Sequence, residues 1–133
     1  MHGSLPSLAM NLTVGVVQGL LAAFFAVGGV VKMARSPKRL HDQGLTWVED
    51  FPPGGVKVIG ALELAAAIGL VVPRLTGIAP VLVPLAAAGL GLLMIGAAVV
   101  HLRRHEAPFI VVNALVIAAA GLVAWARFGP YAL

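Results

Sequence analysis

Glu63 has the residue type and the setting most suited to chemistry in this 133-residue chain. It lies in Ala61-Leu62-Glu63-Leu64-Ala65-Ala66-Ala67, near the middle of an apolar stretch from about Val56 to Val72. A carboxylate is costly to expose to hydrocarbon, so one in such a stretch faces an interior and finds polar company there. Two roles stay open: a structural carboxylate bonded to other helices, or a group that holds a ligand, a proton or a substrate. Gly60, Ala66 and Ala67 stand one helical turn away and are expected to leave space beside it. Lys57 is six residues earlier, about 9 Å along a helix and about 120° around it. It shares no stripe with Glu63 and is expected at the membrane boundary, at the mouth of any pocket.

Asn113 and Gln18 are the other polar residues inside apolar stretches. Either can be helix glue or a ligand contact. Depth counting puts Asn113 near the level of Glu63 and Gln18 in the opposite half. Glu63 and Asn113 are therefore expected to share one cavity, with Trp47 and Phe51 at its edge and Gln18 as a weaker member. His101 and His105 are four residues apart, followed by Glu106, a spacing that can put both imidazoles on one helix face. A catalytic zinc site draws three protein ligands, and no His-Glu-x-x-His pattern is present, so no metal is expected. His101 is expected to cap the pocket as a polar or proton-handling group.

Other chemistries lack their residues. With no cysteine, disulfides, thiolate metal sites and cysteine nucleophiles are excluded. No serine has a Ser/His/Asp context, and Gly28-Gly29 and Gly54-Gly55 are simple pairs rather than phosphate loops. No resident cofactor is expected.

The elements that must position these residues follow from composition. Hydrophobic residues make up 60% of the chain and charged ones 11%, against roughly 25% charged in soluble domains. A short chain has too much surface to hide that apolar excess from water. The fold class is all-α, a transmembrane four-helix bundle in one domain over 1–133. Its spans are expected at about 12–31, 56–72, 77–100 and 109–126, each near the length that crosses a bilayer. The first lacks the basic preceding segment of a secretory signal and is expected to stay in the protein. The formal charge of +4 points to lipid rather than nucleic acid, because the basic residues flank the spans.

The connections are unequal. Lys32 to Gly55 is long and is expected to pack over helix ends, with a short helix from Pro37 stopped by Gly44. Pro73 is expected to end the second span; Pro84 is expected to kink the third or mark a later start. The first and third connections carry Lys32, Arg35, Lys38, Arg39, Arg103 and Arg104, whereas the opposite side carries Arg74 and Arg127. The positive-inside rule then puts both termini on the non-cytoplasmic side of a cell membrane.

The order of these segments resembles the DoxX-like family of small four-helix membrane proteins. The resemblance rests on Phe25-Ala26-Val27-Gly28-Gly29-Val30-Val31-Lys32, on Gly60 to Leu70 with Pro73 following, on Ala97 to His101, and on Pro108 to Asn113. It covers almost the whole chain. It implies an association with membrane redox complexes and quinone-linked oxidoreductase subunits, often as an accessory protein.

The leading expectation is therefore an accessory protein with an interhelical pocket for a lipophilic ligand, a quinone being the candidate. Glu63 and Asn113 would orient the ligand's polar end, with His101 and Lys57 at the mouth. One alternative is a small proton-coupled multidrug-type transporter, although such proteins carry their glutamate in the first span. Another is an embedded acid–base enzyme using Glu63 and His101.

Overall fold

The computed structural model describes residues 4–133. It contains five α-helices and one short 3₁₀ helix: α1 (Leu5–Ala34), α2 (Pro37–Asp42), the 3₁₀ helix (Thr46–Asp50), α3 (Pro53–Thr76), α4 (Leu82–Arg103) and α5 (Ala107–Phe128). The four long helices have 30, 24, 22 and 22 residues and are apolar enough to cross a membrane. At 1.5 Å per residue even the shortest spans about 33 Å. Only 22–33% of the residues in their most apolar windows are buried inside the protein. The remaining faces, such as Leu12, Leu20, Leu92 and Leu115, belong in lipid.

The helices pack in the cyclic order α1, α3, α4, α5. Val14, Phe25, Leu70, Leu90 and Val123 fill the centre. A second cluster of Leu40, Trp47, Val48 and Val56 folds the first connection onto the bundle end. There Ser36 caps α2, accepting from the Arg39 amide. Gly44 turns the chain at φ +101°, a conformation that costs glycine least. The long connection is thus a packed cover, as its Trp and Phe content led one to expect.

Three helix limits differ from the sequence reading. α1 begins at Leu5, where Ser4 accepts from the Ser7 amide and Pro6 occupies the first turn; good caps outweigh the polar residues that hid this start. α3 runs through Pro73 and stops at Gly77, φ +71°, so the glycine ends the helix. Pro84 falls in the first turn of α4, where its missing N–H costs nothing; of the two roles considered for it, the later start is realised.

Candidate functional site

The site begins at a close crossing of α1 and α3. A Cβ on Gly29 would lie 2.7 Å from the carbonyl oxygen of Gly60, and one on Gly60 would lie 2.8 Å from that of Gly29. Only glycine permits backbones to approach so closely. The crossing carries Lys32, in the last turn of α1, onto Glu63. Lys32 Nζ is 3.0 Å from Oε1 and 3.1 Å from Oε2. Gly28 makes room for the carboxylate, since a Cβ there would stand 3.1 Å from Oε2. The Glu63 side chain is 3% exposed and that of Lys32 17%. Pairing offsets the cost of holding either charge in an apolar interior.

The opposite wall is built by the turn between α4 and α5. His101 stacks on Phe109 at 4.6 Å between centroids and meets the ring of Trp47 edge-on. Its Nδ1 lies 2.9 Å from Oε1 of Glu106. Glu106 also accepts from Arg104 Nε and the Thr46 hydroxyl. The hydrogen bond to His101, with help from Thr46 and Arg104, holds the Glu106 carboxyl below the usual carboxylate range despite partial burial. An ionised carboxylate only accepts, so Nδ1 carries a hydrogen, and in the neutral form of the ring it is Nε2 that bears the lone pair. Among the described residues no protein group bonds Nε2. Among the described residues no fully covered side-chain polar atom lacks a partner, so Nε2 retains accessible surface.

His101 borders a cavity of about 570 Å³ together with Lys32, Glu63 and Asn113, with Trp47, Phe51, Phe24 and Phe109 among its apolar walls. Such a volume suits a small ligand or headgroup. Phe24 of α1 and Val112 of α5 line it while being 56% and 44% exposed, so it opens sideways toward lipid. Arg104 fastens the cover over its end, donating to Glu49 at 2.8 Å and Asp50 at 3.0 Å. The pocket therefore offers an ammonium donor on one side and an imidazole acceptor on another, between aromatic walls.

Glu63, Asn113 and His101 thus meet at one cavity, with Trp47 and Phe51 at its border. Asn113 also donates to the Met94 carbonyl at 3.4 Å, a long bond that ties α5 to α4. Lys57 stands apart: it is exposed and donates to the Met33 carbonyl at 2.8 Å, capping the end of α1. Gln18 lies in the other half of the bundle, donating to the Leu70 carbonyl at 3.0 Å. The expected flanking role of three small residues is corrected. Gly60 is consumed by the helix crossing, Ala67 by the core, and Ala66 borders a separate apolar groove between α3 and α4. His101 and His105 do not share a helix face, because α4 ends at Arg103 and His105 takes φ +57°. Among the described residues no three metal-binding side chains gather.

The sequence reading missed Lys32, Glu106 and Phe109. Lys32 was counted as a boundary charge. Its position in the last turn of an apolar span, on the face that carries Gly28 and Gly29, was the available signal.

Compared with known families, the model of the DoxX-like family matches residues 16–124. No curated protein and no solved structure matches the chain.

Proposed function

The chain belongs to the DoxX-like family, and on that footing we propose that it is a membrane accessory protein holding a lipophilic, carbonyl-bearing ligand of the quinone class for a membrane oxidoreductase. The observation that carries this reading is the pairing of Lys32 with an open His101 Nε2 across one aromatic-walled cavity. A ring carbonyl accepts from an ammonium, and a ring hydroxyl donates to a neutral imidazole. A quinone presents the carbonyl, and its quinol the hydroxyl, at the same positions of one flat ring. The lateral opening beside Phe24 and Val112 would let an isoprenoid tail stay in the bilayer.

Glu63 and His101 border the same space, which supports acid–base chemistry on a lipophilic substrate as the second reading. The transporter reading is weaker, because both Glu63 oxygens are already on Lys32 and a coupling carboxylate must exchange its partner.

The test uses Trp47 as a reporter. The chain has two tryptophans, so Trp125→Phe leaves Trp47 alone. Titration with a short-chain benzoquinone is expected to quench its emission saturably. The corresponding benzoquinol is expected to compete with the quinone, and His101→Phe, which keeps the ring stack but removes the acceptor for the quinol hydroxyl, is expected to weaken quinol binding about tenfold. Non-saturable quenching, or quinol binding unaltered by His101→Phe together with quinone quenching unaltered by Glu63→Gln, would defeat the reading. Conversion of the bound benzoquinone to a new product would favour the enzyme.

A further inference from the structure

The end of the bundle that carries both termini holds two guanidinium groups and no acidic side chain. Arg127, 3% exposed, donates to Gln18 Oε1 at 2.7 Å, to Asn11 Oδ1 at 2.6 Å, to the Tyr131 carbonyl at 2.8 Å and to the Asn11 carbonyl at 3.4 Å. Every acceptor is neutral. Arg74, half-buried, reaches the same Gln18 oxygen at 3.3 Å. Its guanidinium lies on Gly15, where a Cβ would come within 2.5 Å of Nη1. Two cations therefore meet on one amide oxygen.

The chain has five acidic residues, Asp42, Glu49, Asp50, Glu63 and Glu106. Glu63 is taken by Lys32, and the other four belong to the first and third connections at the opposite end. No acidic side chain is available to balance Arg74 and Arg127, and a buried charge without a counter-charge is expensive. Arginine cannot shed its proton to escape that cost. Arg127 has nearly filled its five N–H donors on protein, whereas among the described residues Arg74 uses one and keeps the rest of its planar fork free.

We propose that Arg74, with the field of Arg127 behind it, forms a binding site for one phosphate group at this end of the bundle. Gly15 supplies the shelf and Gln18 sets the spacing of the two guanidiniums. The guanidinium fork matches two phosphate oxygens. The phosphate belongs either to an anionic phospholipid headgroup at the membrane surface or to free inorganic phosphate.

The experiment is native mass spectrometry of the full chain in neutral detergent, offered phosphatidylglycerol and phosphatidylcholine in equal amounts. A parallel arm measures thermal unfolding with inorganic phosphate alone. Wild type is expected to retain one phosphatidylglycerol in preference to phosphatidylcholine. Arg74→Gln should weaken that retention about tenfold, and Gly15→Ala, which displaces the guanidinium but keeps its charge, should do the same. Arg103→Gln, an equal charge loss at an exposed position of the opposite end, should leave it unchanged. Stabilisation by inorganic phosphate that Arg74→Gln abolishes, without lipid preference, would assign the site to free phosphate. Neither response, or equal retention in Arg74→Gln and Arg103→Gln, would overturn the proposal.

Discussion

Both carboxylate oxygens of Glu63 rest on one ammonium, Lys32 Nζ, at 3.0 and 3.1 Å. The two residues are unequal partners. Lys32 lies in the last turn of α1, and its long stem can turn to the membrane surface when released. Glu63 lies deep in α3 and has no such escape. Lys32→Met should therefore destabilise more than Glu63→Gln, by about 3 kcal/mol against about 1 kcal/mol. The double variant should recover much of the Lys32→Met loss, because it removes the stranded charge. Thermal unfolding of the four proteins in one detergent measures the cycle, and additive losses would show that the pair is not coupled.

The adjacent glycines should separate structure from function. At Gly29 an added methyl meets the Gly60 carbonyl at 2.7 Å, and backbone cannot yield without moving a helix. At Gly28 it meets the Glu63 Oε2 at 3.1 Å and the Lys32 Nζ at 3.5 Å, both the ends of side chains. Gly29→Ala should lower the unfolding temperature markedly, with a cost of about 2 kcal/mol or more. Gly28→Ala should fold nearly as well as wild type yet weaken benzoquinone quenching of Trp47, because Glu63 and Lys32 must shift. Equal unfolding temperatures for the two variants would contradict this division.

What could be read in the sequence followed from rules that act one helix at a time. Four apolar runs gave the bundle, since a lipid-exposed backbone must satisfy itself. The isolation of Glu63 and Asn113 in those runs gave their shared cavity. Partners across helices were less visible. Lys32 reaches Glu63 because Gly29 and Gly60 let two backbones touch, and that register is a property of the packed pair. Glu106 looked like a loop charge because its bond to His101 depends on the turn after Arg103. Arg127 entered the charge balance between the two sides, yet it is buried and bonded to Asn11 and Gln18. Ala66 and Ala67 were small for packing, a role that composition does not distinguish from making space.

Arg104 should control whether the cover stays on the cavity. It joins Glu49 and Asp50 in the first connection to Glu106 at the start of α5. Arg104→Gln should leave the four long helices intact, since exposed ion pairs contribute little to global stability. Amide hydrogen exchange between Thr46 and Asp50 should rise, because local opening loses its tie. Exchange within α3 and α4 should not change. Unaltered protection of the 3₁₀ helix would mean that Trp47 and Val48 hold the cover alone.

The same acids predict how the cover and the pocket respond to pH. The hydrogen bond from Arg104 holds Glu49 below the ordinary carboxylate range, and that from His101 does so for Glu106. A carboxyl whose folded pKa lies below its unfolded value adds stability above the unfolded pKa, about 4.3 for glutamate. That contribution is lost as pH falls through the lower folded value. The unfolding temperature should thus fall on acidification below about pH 4, and Arg104→Gln should flatten that limb. Glu106 has a second consequence, because its charge fixes the hydrogen on His101 Nδ1 and leaves Nε2 to the cavity. Nitrogen-15 spectra of histidine-labelled protein at neutral pH should show His101 as a single Nδ1–H tautomer. In Glu106→Ala the acceptor is gone, and an ordinary mixture of tautomers should appear. Benzoquinol binding should weaken in parallel, because its hydroxyl loses the Nε2 acceptor, although Glu106 does not border the cavity. An unchanged His101 spectrum in Glu106→Ala would mean that stacking on Phe109, rather than the carboxylate, orients the ring.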